Sequence, residues 1–291
     1  CEMATVTKEI EREGETWVCL RRFQERMPDI DVLKYSEAQR KTLKKFNTEK
    51  GIIIICGGTG AGKTTTGIAL YRYCAKSKGG VCYMVEDPCE YIMQGAYDDN
   101  PDFAFVLQRE VQEDKDWPQA IKDGLRAKPK FVYLGELRSP KSAEQAMRMA
   151  ASGHLVICTV HGSSIEQGLS SVIHIAKSEM GDLAYQMLAD SLVAIIYQEM
   201  VRGNVEMDIM EAGPMSSAVR AAIRSGDMKQ LADPIAQQKA KQNKDAGVVR
   251  PRPQGEVRNG GPNQGNKNPG SPRSPSRKKK NASFWRRLMG G

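Results

Sequence analysis

Long apolar runs are missing from this chain. The longest, Ile52–Cys56 and Leu192–Tyr197, fall far short of the ~18 residues that span a bilayer, so no transmembrane helix is expected. No secretory signal opens the sequence, which begins at Cys1 rather than Met and reads as a fragment of a longer protein. Paired cysteines are missing too. The seven, at 1, 19, 56, 74, 82, 89 and 158, are odd in number and contain no Cys-x-x-Cys, which argues against a disulfide framework or a zinc clip. Cys56 and Cys158 fall inside apolar runs and read as buried free thiols in a reducing, cytosolic compartment. Acid is nearly absent from 250–291, which holds eleven Lys/Arg and only Glu256, a net +10. The preceding residues hold 32 bases against 34 acids, so the overall +8 belongs to the tail and a uniformly basic, DNA-coating body is excluded.

What is present is ordinary globular material. The chain has 291 residues, 40% hydrophobic and 27% charged, enough for one large domain or two modest ones. Residues 1–50 read as a short strand at Trp17–Phe23 and a charged helix over Glu37–Phe46. From Gly51 strands and helices alternate: an apolar run to Cys56, a helix over Lys63–Lys76 closed by Gly79-Gly80, and a strand over Val81–Val85. The pattern recurs with a helix after Asp116, a strand at Phe131–Leu134, a helix from Ser139-Pro140 to Gly153, and a strand at Leu155–Val160. This alternation predicts an α/β fold on a mainly parallel sheet. Helical stretches are expected near 179–198 and 215–231, with disorder over 234–281, where Gly, Pro, Ser, Lys and Arg leave little to bury. Ser283–Met289 forms a small basic-apolar tip.

Gly57-Gly-Thr-Gly-Ala-Gly-Lys-Thr64 satisfies G-x-x-x-x-G-K-[ST] between a strand and a helix. Glycines let the backbone wrap phosphates, and the helix N-terminus adds partial positive charge. Lys63 is the candidate for the β- and γ-phosphates and Thr64 for Mg²⁺, which makes a nucleoside triphosphate the expected ligand. Glu86-Asp-Pro-Cys-Glu90 ends the next strand and offers two carboxylates, one toward the metal and one as general base for water. Phe131-Val-Tyr-Leu-Gly-Glu136-Leu-Arg138 is an apolar strand ending in acid, with Gly135 where many P-loop proteins have Asp. Glu136 therefore takes the acidic role, with Arg138 as its counter-charge. In Gly153–His161 two histidines bracket a strand seven residues apart, an odd spacing that puts their rings on opposite sides and argues against a shared metal. In a parallel sheet His161 ends on the P-loop side, as a sensor of the γ-phosphate or of its attacking water.

These four segments, in this order, resemble the PilT/GspE class of secretion and pilus ATPases over residues 16–231. Gly57–Thr65 is similar to that family's Walker A, Val85–Tyr91 to its Asp box, Leu134–Arg138 to its Walker B and Gly153–His161 to its His box. Gln108-Arg-Glu-Val111, Leu125-Arg126 and Ser217–Arg224 agree. The resemblance implies a RecA-like P-loop NTPase domain (51–233), a remnant of an N-terminal domain and linker (1–50), and a disordered basic C-terminal tail (234–291). It implies ATP and Mg²⁺ as cofactors. Gly57, Gly58, Thr59, Gly60, Ala61, Gly62, Lys63, Thr64 and Thr65 become nucleotide-binding residues, with Arg109, Arg126 and Arg138 as charge-stabilising or intersubunit arginines. Glu90, Glu136 and His161 become catalytic, and Thr64, Glu86 and Glu136 the metal set. It further implies a homohexamer, cytoplasmic but peripheral at the inner membrane, that works on platform or secretion-channel proteins in pilus retraction or in type IV or conjugative secretion.

The sequence departs from the family pattern in four places. Only 56 residues precede the P-loop, so most of the N-terminal domain is expected to be absent. Ser139 replaces an acid, Ser171 stands where many relatives have Arg, and the four-cysteine zinc cluster of some pilus-assembly members is missing. The last point favours a retraction or type IV secretion member. The alternatives are a RecA-like nucleic-acid motor gripping with the tail, and a scaffold that binds nucleotide without hydrolysis. The tail lacks the interleaved aromatics of single-strand binders, so direct nucleic-acid binding is not expected; it reads first as a solvated, disordered extension, and Phe284, Trp285 and their arginines also suit an anionic membrane or a partner-docking peptide.

Overall fold

The computed structural model describes residues 4–12, 15–22, 28–97, 103–213 and 216–245. Strands β1 (Ala4–Arg12) and β2 (Glu15–Arg22) pair antiparallel as a separate two-stranded sheet, so the strand expected at Trp17–Phe23 has a partner that its sequence did not disclose. The body then runs α1 (Glu37–Lys45), β3 (Gly51–Gly57), α2 (Lys63–Lys78), β4 (Gly80–Glu86), β5 (Gly95–Tyr97), β6 (Ala104–Glu110), α3 (Trp117–Arg126) and β7 (Phe131–Glu136). It continues with α4 (Pro140–Ala151), β8 (Leu155–His161), α5 (Ile165–Met180), α6 (Leu183–Ser191), β9 (Leu192–Val201), β10 (Asn204–Glu211), α7 (Ser217–Ser225) and α8 (Ala232–Asp245). Arg250–Gly291, with the expected tail tip, lies outside the described residues.

Eight strands form one sheet in the order β10-β9-β3-β8-β7-β4-β6-β5. The six inner strands are parallel, and β10 and β5 close the two edges antiparallel. The strand carrying the P-loop is thus central, with β8 between it and the strand carrying Glu136. Central position explains its composition. Ile52, Ile54 and Cys56 pack on one face against α4–α7, while Ile53 and Ile55 pack on the other against α1 and α2. All four isoleucines are fully buried, each contributing about 2 kcal/mol of transfer free energy, so both faces must be apolar.

Two sequence expectations are corrected. Residues 192–198 are not helical: α6 stops at Ser191 and β9 begins at Leu192. The run Leu192–Tyr197 fits either period, and β-branched Val193, Ile195 and Ile196 complete the open side of β3 through Ile52↔Leu192 to Cys56↔Tyr197. The disorder expected from 234 also begins too early, because α8 extends to Asp245. Its polar face binds the outer edge of β10. Gln238 exchanges hydrogen bonds with Glu211 N (2.7 Å) and O (2.8 Å), Gln242 donates to Ile209 O, and Lys239 pairs with Asp208 (2.6 Å). Composition alone cannot reveal a helix stabilised by an edge strand.

Candidate functional site: a phosphate loop among acidic strand tips

The carboxyl ends of β3, β4, β7 and β8 meet at one edge of the sheet, where the 57–64 loop turns into α2. Gly60 and Gly62 adopt φ of 77° and 83°, open to glycine at no steric cost. At Gly57 a Cβ would lie 2.3 Å from the Gln198 carbonyl oxygen, so only glycine lets β3 leave the sheet beside β9. Gly62 is the N-cap of the sixteen-residue α2 and supplies no side-chain cap, so the first amides of the helix keep their capacity for an anion. The Lys63 ammonium folds back onto the Gly57 (3.1 Å) and Gly58 (3.0 Å) carbonyls. Burial lowers its pKa, opposed first by Glu136 and, more weakly, by Glu90. Thr65 and Thr66 anchor the first turn through the Tyr91 (3.2 Å) and Tyr35 (2.7 Å) hydroxyls.

At the tip of β7 the register against β8 jumps from Leu134↔Cys158 to Glu136↔Thr159. Gly135 is the extra residue, and this bulge re-aims the acid that follows it. A Cβ at 135 would touch Glu86 at 3.4 Å, so a longer acidic side chain there would crowd a second carboxylate. Glu136 Oε2 accepts from Arg138 Nε at 2.6 Å. His161 Nε2 comes within 2.7 Å of Glu136 Oε1, but without the angle of a hydrogen bond, and Oε1 stays buried and unsatisfied. His161 itself sits level with Gly57 on the neighbouring strand.

Glu86, at the tip of β4, is 2% exposed. Burial pushes its pKa up to about 7, and hydrogen bonds from Gln108, the Cys89 side chain and the Glu90 amide only partly offset this. Gln108 organises the acidic turn: Nε2 donates to Glu86 Oε2 (2.9 Å) and Tyr91 O (2.8 Å), and Oε1 accepts from Met93 N (2.8 Å) and Gln94 N (3.2 Å).

A cleft of about 360 Å³ is lined by Thr59, Gly60, Gly62, Lys63, Thr64, Thr65, Glu86, Glu90, Glu136, Arg138 and His161. Gly57 closes the loop beneath it, and Gly58 and Ala61 line the adjoining cavity on the β9 side. Arg109 and Arg126 do not line the cleft; both face Asp123 on α3, at 2.7 and 3.8 Å. His154 lies at the far end of β8, near Ser152 Oγ and Met149 O, so the two histidines are as separate as their spacing implied. Sequence reading missed Gln108, Gln198 and Thr159, the last of which also lines the cleft. Gln108 leads the Gln108–Val111 match, a usable signal, whereas Gln198 was hidden by the helical reading of its strand.

Magnesium can be tested against these donors. Among the described residues no group of three or more His, Cys, Asp or Glu could hold a metal by itself. Mg²⁺ takes one or two protein oxygens and completes its shell with phosphates and water, so its fit turns on single donors. Glu136 Oε1 is unsatisfied and lines the same cleft as Thr64, and the two oxygens fit such an ion.

A central strand delivering a glycine loop to a helix N-terminus, with acids two and three strands away, defines a P-loop nucleotide-binding domain of RecA-like fold. Residues 10–250 match the model of the family described as Type II/IV secretion system protein, and the chain belongs to that family. The type IV pilus ATPase PilU of Pseudomonas aeruginosa is 31% identical over 216 residues, 73% of this chain and 54% of that protein. The type IV pilus retraction ATPase PilT of the same organism is 28% identical over 62% of this chain and 52% of its own. The chain thus spans about half the length of these relatives. Among solved structures, the pilus retraction motor PilT with bound ADP superposes with a TM-score of 0.64 at 24% identity, covering 87% of this chain and 78% of its own. The Legionella pneumophila ATPase DotB gives 0.65 at 19% identity over 80% and 68%. At these identities the superpositions establish the fold.

Proposed function

We propose that this chain is an ATP-hydrolysing motor domain that drives type IV pilus retraction or type IV secretion. The observation carrying this reading is the convergence of Lys63, Glu90 and Glu136 on one cleft at the mouth of the loop. The loop amides and the N-terminus of α2 hold the triphosphate, and Lys63 exchanges its two carbonyl partners for β- and γ-phosphate oxygens. Thr64 and Glu136 would hold Mg²⁺, which would supply charge compensation at the phosphate oxygens. Glu90 accepts a proton from the attacking water, and His161 and Arg138 keep Glu136 in place. Glu86 acts as the anchor of the acidic turn more than as a metal ligand, because its carboxylate already serves Gln108, Cys89 and the Glu90 amide.

The relatives named as pilus ATPases support the choice of process, and a homohexameric ring is proposed on the same ground. Within such a ring Arg109 and Arg126, which leave their own cleft unserved, are available to a neighbour. No described helix is long and apolar enough to cross a membrane, so contact with inner-membrane platform or channel proteins is proposed as peripheral, from the cytoplasm, with the basic tail toward anionic lipid.

The test is Mg²⁺-dependent phosphate release by the purified chain, with nucleotide affinity followed by a fluorescent ATP analogue. Lys63→Ala is expected to weaken binding at least ~100-fold, since a buried cation–phosphate contact is lost. A wild-type chain that binds no nucleotide refutes the reading.

A further inference from the structure

Gln198 is the one fully buried amide beside the loop that nothing so far employs. It lies on β9, one residue beyond the Cys56↔Tyr197 pair and beside Gly57, where β3 leaves the sheet. Its backbone oxygen forces glycine at 57, and its Nε2 donates to the Ala61 carbonyl at 2.5 Å. Its Oε1 is buried without a partner. The amide cannot be turned round to satisfy that oxygen, because Oε1 would then face the Ala61 oxygen, acceptor against acceptor.

The Ala61–Gly62 peptide separates two spaces. Ala61 lines the cavity on the β9 side, and Gly62 lines the cleft that holds Lys63 and the acids. In a planar trans peptide the carbonyl and the following N–H point in opposite directions. Holding Ala61 O toward β9 therefore aims the Gly62 N–H away from β9, toward the cleft. That peptide is otherwise easy to flip, since Gly62 has a φ of 83° and the permissive backbone of glycine. A Cβ at 62 would lie 3.2 Å from Gln198 Nε2, so the side chain sits directly beneath the turn.

We infer that Gln198 is a positioning residue for the phosphate cradle: it locks the Ala61–Gly62 peptide with its N–H presented to the nucleotide before the nucleotide arrives. The inference rests on the nucleotide-binding reading above.

The experiment compares wild type, Gln198→Met and Gln198→Glu in the full chain. Methionine keeps the length and removes the donor; a buried, protonated glutamic acid keeps a donor. Q198M is expected to bind a fluorescent ADP analogue about ten-fold more weakly and to raise KM equally with kcat unchanged, while Q198E stays near wild type. In nucleotide-free protein, amide exchange in Q198M is expected to quicken at 58–63 alone. Should Q198M fail to fold, Gln198→Ala is read in its place. Unchanged affinity and unchanged loop exchange overturn the inference, as does a loss of kcat with KM intact. If wild type binds no nucleotide, the functional reading has failed, and the exchange comparison still decides whether Gln198 locks the peptide.

Discussion

The two ends of the parallel strands are built from the same chain and treat polar groups in opposite ways. At the amino ends they are closed locally: Gly51 N donates to His154 O (2.9 Å), Gly80 N to Phe103 O (2.8 Å), Lys130 N to Val81 O (2.8 Å), and Lys130 Nζ to Lys78 O (2.9 Å). At the carboxyl ends a buried lysine rests on two carbonyls of its own loop, Glu136 keeps an orphan oxygen, and Glu86 is held partly protonated near neutrality. The difference teaches where free energy is left uncompensated. A satisfied end serves the fold, whereas an orphan carboxylate oxygen beside a lysine held only by its own loop leaves the other end able to take a ligand.

Three experiments sharpen or break this contrast. The largest effect is expected from Glu136→Gln, which keeps the shape of the cleft and removes the charge: hydrolysis should fall roughly 10³-fold while ATP binding survives. Normal turnover would remove Glu136 from the chemistry. The next concerns Glu86. Its acid is raised in the folded chain from 4.5 to about 7, so the native state holds a proton that the unfolded chain releases. Stability is therefore full below pH 4.5 and declines as pH rises toward and through 7, by about 3 kcal/mol at the limit. In metal-free protein Glu86→Gln should flatten that decline in denaturant titrations between pH 5 and 8, and an unchanged slope would place the titration elsewhere. The smallest effect compares the two ends of β8 directly. His161→Ala is expected to slow hydrolysis roughly ten-fold with near-normal binding, whereas His154→Ala should leave hydrolysis alone and cost about 1 kcal/mol of stability. Equal effects on hydrolysis would erase the distinction between the ends.

Much of the site was legible because its chemistry needs particular residues at short spacings. Gly57–Thr64 form one short loop, Glu86 and Glu90 flank one turn, and Glu136 ends an apolar strand; each of these is local. The strand at 192–201 was not legible, since an apolar run fits either period and only the vacant side of β3 chose between them. The helix at 232–245 was obscured for a related reason: its glutamines look like solvent-facing residues until β10 presents an edge to cap.

The order of letters alone fixed the phosphate loop, the acids at the strand ends, the α/β alternation and the concentration of positive charge after residue 250. Only the folded chain decided that Gly135 is a bulge before Glu136, that Glu86 accepts from Gln108, that Arg109 and Arg126 turn to Asp123, and that Gln198 donates to the Ala61 carbonyl. The first set depends on neighbours along the backbone. The second depends on which strands lie side by side and on which buried atoms then lack partners, a property of distances that no local pattern carries.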